Sequence, residues 1–160
     1  MKTVAIIVPI FNELETIKLF YNRLKITIDS IKDHSFIIIF IDDGSTDKSS
    51  EIIKEIIDTD SRAKLIILTR NFGKEAALSA GLDHVETDAV IPMDVDLQDP
   101  PELIKEMILI WRSGIPLVLA RRTHRKEDTL FKRLSAGLFY YIHNKLSPIT
   151  IPKNVGDFRL

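Results

Sequence analysis

Hydrophobic residues along the chain fall into two kinds of stretch, short continuous runs and longer amphipathic ones. The continuous runs are rich in β-branched residues and occupy 3–10, 35–41, 64–69, 89–93 and 116–120. Runs of this kind are typical of strands that are buried on both faces of a parallel sheet. Helical periodicity lies between them, at roughly 13–30, 45–58, 74–85 and 101–113, and again at about 129–146. The alternation predicts an α/β fold: a Rossmann-like, mostly parallel sheet flanked by helices, with right-handed crossovers.

Size and composition limit the kind of protein. With 160 residues, 45% of them hydrophobic, the chain is expected to fold as a single domain over 1–160. Its net charge of −1 gives no reason to expect nucleic-acid binding, and its lack of cysteine excludes disulfides and a thiol nucleophile. The first apolar run is too short for a secretory signal, and no segment approaches the ~20 apolar residues of a membrane span. The chain stops at "VGDFRL" without a polar tail, so we expect a soluble fragment of a longer protein.

Polar residues follow each of the first four predicted strands. The segments are "PIFNE", "IDDGSTD", "TRNFGK" and "MDVDLQD", in chain order. In an open parallel sheet, ligands bind beyond the carboxyl ends of the strands. The sequence therefore predicts a binding site at this edge of the sheet.

The segment after the fourth strand places three oxygen-bearing side chains at alternate positions, Asp94, Asp96 and Gln98. In an extended chain these three share one face. Two carboxylates and an amide oxygen are suitable ligands for a hard divalent cation. The alternative is a polar strand end that runs into a turn. Asp99 is assigned to structure, as the N-cap of the next helix with Glu102 at the capping-box position.

The segment after the second strand contains adjacent acids, Asp42 and Asp43, before Gly44. The glycine suits a tight turn, and Ser45 or Thr46 is expected to cap the next helix. One carboxylate serves the turn, and the other can accept hydrogen bonds from a base or a ribose. We assign Asp42 to that second role.

The segment after the third strand opens a helix with Gly73 and Lys74. It lacks the upstream glycine of a phosphate-binding P-loop, and Glu75 stands where that motif has serine or threonine, which disfavours a P-loop ATPase or kinase. Lys74 at a helix N-terminus can still hold an anion, or it is a solvated first-turn residue. The four histidines show no metal-ligand spacing.

A cluster of basic residues follows the fifth strand. It comprises Arg121, Arg122, Arg125, Lys126, Lys132 and Arg133. Such a run is a solvated face, or it contacts a phosphate-bearing partner or an anionic membrane surface.

Five motifs in order, "VPIFNE", "IDDGSTD", "RNFGKEAAL", "MDVDLQDPPE" and "VGDFRL", resemble the family 2 inverting glycosyltransferases of the GT-A fold over nearly the whole chain. Within that family they are most similar to polyprenyl-phosphate glycosyltransferases. The resemblance implies transfer of a hexose, with glucose preferred, from a UDP- or GDP-sugar to a polyprenyl phosphate. It also implies Mg²⁺ or Mn²⁺ as cofactor and a location at the cytoplasmic face of the cell membrane, and it is compatible with a homo-oligomer.

The same resemblance assigns roles to individual residues. The nucleotide-sugar site would comprise Pro9, Phe11, Glu13, Asp42 and Asp94, together with Lys74, which is included for its position at a helix N-terminus. The metal ligands would be Asp94, Asp96 and Gln98. The acceptor phosphate would be held by Arg122, Arg133, Ser135 and Arg159, and the catalytic set would be Asp96, Asp157 and Arg122.

Two other readings of the function follow from the same residues. If the acceptor is a sugar hydroxyl, a carboxylate base is required, and Asp157 is the candidate. The chain can also be a non-catalytic nucleotide-sugar-binding domain. Relatives continue past this point with an interfacial helix and membrane spans, so membrane attachment is expected of the full-length protein.

Overall fold

A computed structural model describes the backbone of residues 1–121 and 155–160, and the side chains of 1–120 and 158–160. The strands are β1 (Lys2–Ile10), β2 (His34–Asp42), β3 (Ala63–Ile67), β4 (Ala89–Pro92), β5 (Leu119–Arg121) and β6 (Val155–Arg159). The helices are α1 (Ile17–Ser30), α2 (Ser49–Thr59), α3 (Lys74–Asp83) and α4 (Ile104–Arg112), the last preceded by a 3-10 turn at Pro101–Leu103. The helix predicted over 129–146 lies outside the described residues, as do Arg122, Arg133 and Ser135.

The main sheet confirms the predicted parallel architecture. Its strand order is β3-β2-β1-β4, and every neighbouring pair is parallel. The register aligns Lys2 with His34 and Val4 with Ala89. The central strands β1 and β2 are mostly apolar and buried because helices cover the sheet, which is why their sequences read as continuous hydrophobic runs.

Helix α3 lies close against the sheet and thereby positions the loop before it. Ala77 and Leu78 pack into one cluster with Ile7, Ile39 and Ile41. A Cβ atom on Gly81 would lie 2.5 Å from Ile7 Cγ2, so only glycine allows this approach. The first residue of α3 is therefore held at the carboxyl edge of the sheet.

An ion-pair network around buried Asp60 ties α1 to the segment between α2 and β3. Asp60 accepts hydrogen bonds from the Tyr21 hydroxyl and the Arg62 guanidinium, at 2.8 and 2.7 Å, and Arg62 also pairs with Asp29. Hydrogen bonding to Arg62 holds the pKa of Asp60 well below its usual range. Burial, and then the bond to Asp60, raise the pKa of Tyr21 to about 12.

Two predicted helix caps are wrong. Lys48 holds the N-cap position of α2, while Ser45 and Thr46 bond to Asn12 instead. Pro100 rather than Asp99 precedes the 3-10 turn. Ser45 and Thr46 bond across to the loop after β1, a choice that local spacing does not reveal.

The chain divides into two compact units, Met1–Val118 with Asp157–Leu160, and Leu119–Gly156. In the first unit, Val118 and Leu160 exchange backbone hydrogen bonds of 2.7 and 2.9 Å. Among the helices described, none has the length and apolar character needed to cross a bilayer.

Gly44 brings the turn after β2 against the loop after β3. Its φ is +72°, and a Cβ there would lie 2.5 Å from the backbone carbonyl carbon of Arg70. Gly73 also has positive φ, at +96°, but a Cβ there meets no atom within 4 Å. A side chain at Gly44 would therefore meet both backbone strain and a steric clash, whereas a side chain at Gly73 would meet backbone strain alone.

We expect Gly44→Ala to lower the free energy of unfolding by about 2–5 kcal/mol, since left-handed strain and overpacking add. Gly73→Ala, the matched control, should cost about 1–3 kcal/mol, from backbone strain alone, because its φ of +96° and ψ of 155° suit only glycine. Urea denaturation of the two variants measures the difference. Equal losses would show that the turn and the loop are not in close contact.

Candidate functional site

A cleft of about 310 Å³ opens at the carboxyl edge of the main sheet. Each of the first four strands contributes to it with its end or with the loop that follows. The lining residues are Pro9, Ile10, Phe11, Glu13, Asp43, Asn71, Gly73, Lys74, Asp94, Val95 and Asp96. With the strand order β3-β2-β1-β4, this is where successive connections leave the sheet in opposite directions. The site thus lies at the sheet edge that the sequence predicts.

Asp43 is the buried carboxylate that organises one wall of the cleft. Only 3% of the residue is exposed, and its two oxygens accept hydrogen bonds from the backbone N–H groups of Phe72 and Gly73, each at 2.8 Å. Its own N–H donates to the carbonyl of Ile10 at 2.8 Å. One residue, through its side chain and its backbone N–H, therefore joins the ends of β1 and β2 to the loop that begins α3.

Asp42 does not line this cleft, which corrects the predicted choice between the two acids. It is 1% exposed, and its carboxylate accepts hydrogen bonds from the Ser45 N–H, at 2.8 Å, and from the Ser50 hydroxyl. Asp42 is the last residue of β2 and pairs with β1 and β3 on either side. Because the strand continues one residue past its apolar run, Asp42 serves the turn and Asp43 faces the cleft.

The extended geometry predicted for Asp94, Asp96 and Gln98 is wrong. Strand β4 ends at Pro92, and a turn follows in which Leu97 has φ +63°. The Asp96 carboxylate accepts the N–H of Gln98 at 3.0 Å, which closes a tight turn. The alternative of a strand end running into a turn describes this backbone correctly.

Two of the three predicted metal ligands nevertheless reach the cleft. Asp94 and Asp96 line it, whereas Gln98 is absent from the lining that the described residues form. The described residues contain no cluster of three His, Cys, Asp or Glu side chains that could hold a metal by itself. A pair of carboxylates fits Mg²⁺ or Mn²⁺ when phosphate oxygens of a bound ligand complete the coordination.

Lys74 shows directly that the Asp94 carboxylate attracts a cation. Its ammonium lies 2.8 Å from Asp94 Oδ2, and the two side chains are 41% and 31% exposed. Lys74 is the first residue of α3, so the partial positive charge of the helix N-terminus is close to the same point. The arrangement offers positive and negative groups side by side, as a metal-bound anion requires.

The loop after β1 is held in place by the turn after β2. Asn12, at φ +55°, accepts the N–H of Thr46 at 2.8 Å and donates its own N–H to Ser45 Oγ at 3.0 Å. Glu13 donates its N–H to Ser49 Oγ at 2.9 Å. Sequence reasoning missed Asn12, although asparagine is one of the few residues that tolerates this backbone conformation.

The remaining predicted site residues fall into three groups: some line the cleft, some lie on β6, and some lie outside the described residues. Pro9, Phe11 and Glu13 line the cleft as expected. Arg159 is exposed on β6, and the backbone of Asp157 belongs to the same strand. The predicted acceptor-phosphate residues Arg122, Arg133 and Ser135 lie outside the described residues, so their roles stay predictions.

Comparison with known proteins gives a consistent family. A model described as Glycosyl transferase family 2 matches residues 5–160. A bactoprenol glucosyl transferase of Shigella phage SfX is 47% identical over 157 residues, which is 98% of this chain and 51% of that protein. A prophage bactoprenol glucosyl transferase homolog of Escherichia coli K12 is 46% identical over the same coverage. The chain thus spans about half the length of the curated relatives it matches.

A solved structure shares the fold. It is glucosyl-3-phosphoglycerate synthase from Mycobacterium tuberculosis in complex with Mn²⁺, UDP-glucose and phosphoglyceric acid. The TM-score is 0.64 at 22% identity, over 96% of this chain and 55% of that chain. At this identity the likeness concerns the fold alone.

Asp43→Ala should lower the free energy of unfolding by about 2–4 kcal/mol, because two backbone donors lose a charged, buried acceptor. Asp47→Ala is the matched control, since exposed Asp47 also accepts two backbone N–H groups, those of Leu14 and Ser49. Water can replace that acceptor, so the control should cost at most about 1 kcal/mol. Urea denaturation of both variants measures the losses. A control as destabilised as Asp43→Ala would contradict the organising role of Asp43.

Proposed function

The chain belongs to glycosyl transferase family 2, and from that membership we propose that it is the donor-binding part of a metal-dependent, inverting glucosyltransferase. The fold is the GT-A fold, a mostly parallel sheet flanked by helices. The proposed donor is UDP-glucose, and the proposed acceptor is a polyprenyl phosphate at the cytoplasmic face of the membrane. The full-length protein would supply the contacts with the membrane surface.

One observation supports this proposal most strongly. The cleft brings two carboxylates after β4, Asp94 and Asp96, beside the ammonium of Lys74 at the start of α3. A nucleoside diphosphate with a divalent cation needs both kinds of group, carboxylates for the cation and positive charge for the phosphates. Glucose and the lipid acceptor are proposed because the two curated relatives named above are bactoprenol glucosyl transferases or their homologs.

Residues of this chain would act mainly by position and charge. Asp94 and Asp96 would hold the cation, which as a Lewis acid stabilises charge on the leaving diphosphate. Lys74 and the α3 N-terminus would bind the phosphate oxygens. Asp43 would hold the loop that carries Lys74 beside the end of β1.

The transfer step would exchange one bond at the glucose anomeric carbon for another. The bond from C1 to the diphosphate oxygen breaks, and a bond from C1 to an oxygen of the lipid phosphate forms on the opposite face, with inversion. A phosphate monoester has its second pKa near ~6, so the attacking oxygen is already ionised at neutral pH and needs no strong base. It needs cations that hold it in line, and Arg122, Arg133 and Arg159 are proposed for this.

The experiment that tests the function uses the full-length protein with UDP-glucose, Mn²⁺ and undecaprenyl phosphate in detergent. The expected product is a lipid-linked glucosyl phosphate with the β configuration, read by NMR, from the α-linked donor. An α-linked product would contradict inversion. Transfer only to sugar hydroxyls, or hydrolysis alone, would contradict the proposed acceptor.

Asp96→Ala should weaken UDP binding in the presence of Mn²⁺ at least about tenfold, or about 1.4 kcal/mol. The reason is that one of two protein ligands to the cation is lost. Calorimetric titration with and without Mn²⁺ measures the effect, which should vanish when EDTA removes the metal. Asp58→Ala, an exposed acid on α2, is the control and should bind like the parent chain. Equal binding by the Asp96 variant and the parent, with metal present, would contradict the metal site.

A further inference from the structure

The ion pair between Lys74 and Asp94 joins loops from opposite sides of the main sheet. Lys74 follows β3, at one edge of the strand order, and Asp94 follows β4, at the other. Their 2.8 Å contact therefore spans the ends of β1 and β2, and both residues line the cleft. The backbone of this loop is fixed, because the N–H of Gly73 is bonded to the buried carboxylate of Asp43.

The Lys74 ammonium, a cation of the protein itself, is bound to Asp94, a carboxylate that is proposed to hold a metal. Lys74 binds one of the two oxygens of Asp94, Oδ2. A metal that binds Asp94 through both oxygens must displace Lys74, and a metal that binds through Oδ1 alone must overcome the repulsion of the nearby ammonium. Lys74 and a divalent cation therefore compete for Asp94.

The displaced ammonium has a second place to bind within reach. Lys74 carries a flexible four-carbon stem, and its backbone is the first turn of α3, where the helix dipole favours an anion. Both side chains are partly exposed, and exposed pairs contribute little net stability, so exchange of partner is easy. A diphosphate bound at this helix end would take the ammonium that the metal releases.

We propose that Lys74 is an exchangeable counterion, which pairs with Asp94 and moves to the donor's diphosphate when the metal binds. Both the metal and the diphosphate rest on the proposed function, but the exchange is measured by binding and not by transfer of glucose. The exchange makes metal and nucleotide bind cooperatively, because each removes an obstacle to the other. Thermodynamic linkage requires this coupling to be reciprocal.

The first test measures Mn²⁺ binding without nucleotide, from the loss of the free-ion signal in electron paramagnetic resonance. Lys74→Met keeps the length of the stem and removes the charge, so it should bind Mn²⁺ about three- to tenfold more tightly than the parent chain. Lys74→Arg keeps the charge and should bind like the parent. Lys18→Met removes a more exposed lysine that pairs with Glu55 at 2.8 Å, outside the cleft, and should have no effect.

The second test titrates UDP in the presence of saturating Mn²⁺. Here Lys74→Met should act with the opposite sign and weaken UDP binding about tenfold, because the diphosphate loses its ammonium. Exchange predicts both results together: Lys74→Met binds Mn²⁺ more tightly than the parent chain and binds UDP more weakly. Thermal unfolding of each variant establishes that it is folded before binding is measured.

Each contrary outcome overturns the proposal. If Lys74→Met binds Mn²⁺ no better than the parent, or if neither binds it at millimolar concentration, Lys74 does not compete for Asp94. If Mn²⁺ binding tightens while UDP binding is unchanged, the ammonium does not move to the diphosphate. A chain that fails to transfer glucose but passes both binding tests would contradict the proposed function and leave the exchange intact.

Discussion

The carboxylate of Asp43 is the contact on which the geometry of the cleft depends. It bonds two successive backbone N–H groups at the start of α3, while its own backbone is tied to the end of β1. These bonds determine where Lys74 begins the helix, and thus which group faces Asp94 across the cleft. Gly44 and Gly81 allow the same assembly to close, because a side chain at either position would meet neighbouring atoms.

The charged residues that line the cleft are four acids, Glu13, Asp43, Asp94 and Asp96, and one lysine, Lys74, and this mixture suits one class of ligand. Asp94 and Asp96 attract a cation, and Lys74 with the α3 N-terminus attracts an anion. A metal-bound diphosphate carries both charges in one molecule, so it can satisfy both halves of the cleft together. The proposed ligand would account for acidic and basic side chains that lie within one cleft instead of in separate patches.

The sequence predicts the sheet and the location of the cleft well, because buried strands leave a strong hydrophobic pattern and parallel strands end at one edge. It does not predict the choice between Asp42 and Asp43, which depends on β2 continuing one residue past its apolar run. The backbone of Leu97, with positive φ, breaks the alternation expected at Asp94, Asp96 and Gln98. The bond from Lys74 to Asp94 joins segments twenty residues apart, and no local pattern encodes such a contact.

The central claim is that this cleft binds a metal–diphosphate complex between Lys74 and the acids after β4. A crystal structure of the chain grown with Mn²⁺ and UDP tests it most directly. The account predicts the ion bonded to Asp94, Asp96 and both phosphates, with the Lys74 ammonium on a phosphate oxygen and no longer on Asp94. A nucleotide bound elsewhere, or an ion that touches neither carboxylate, would contradict it.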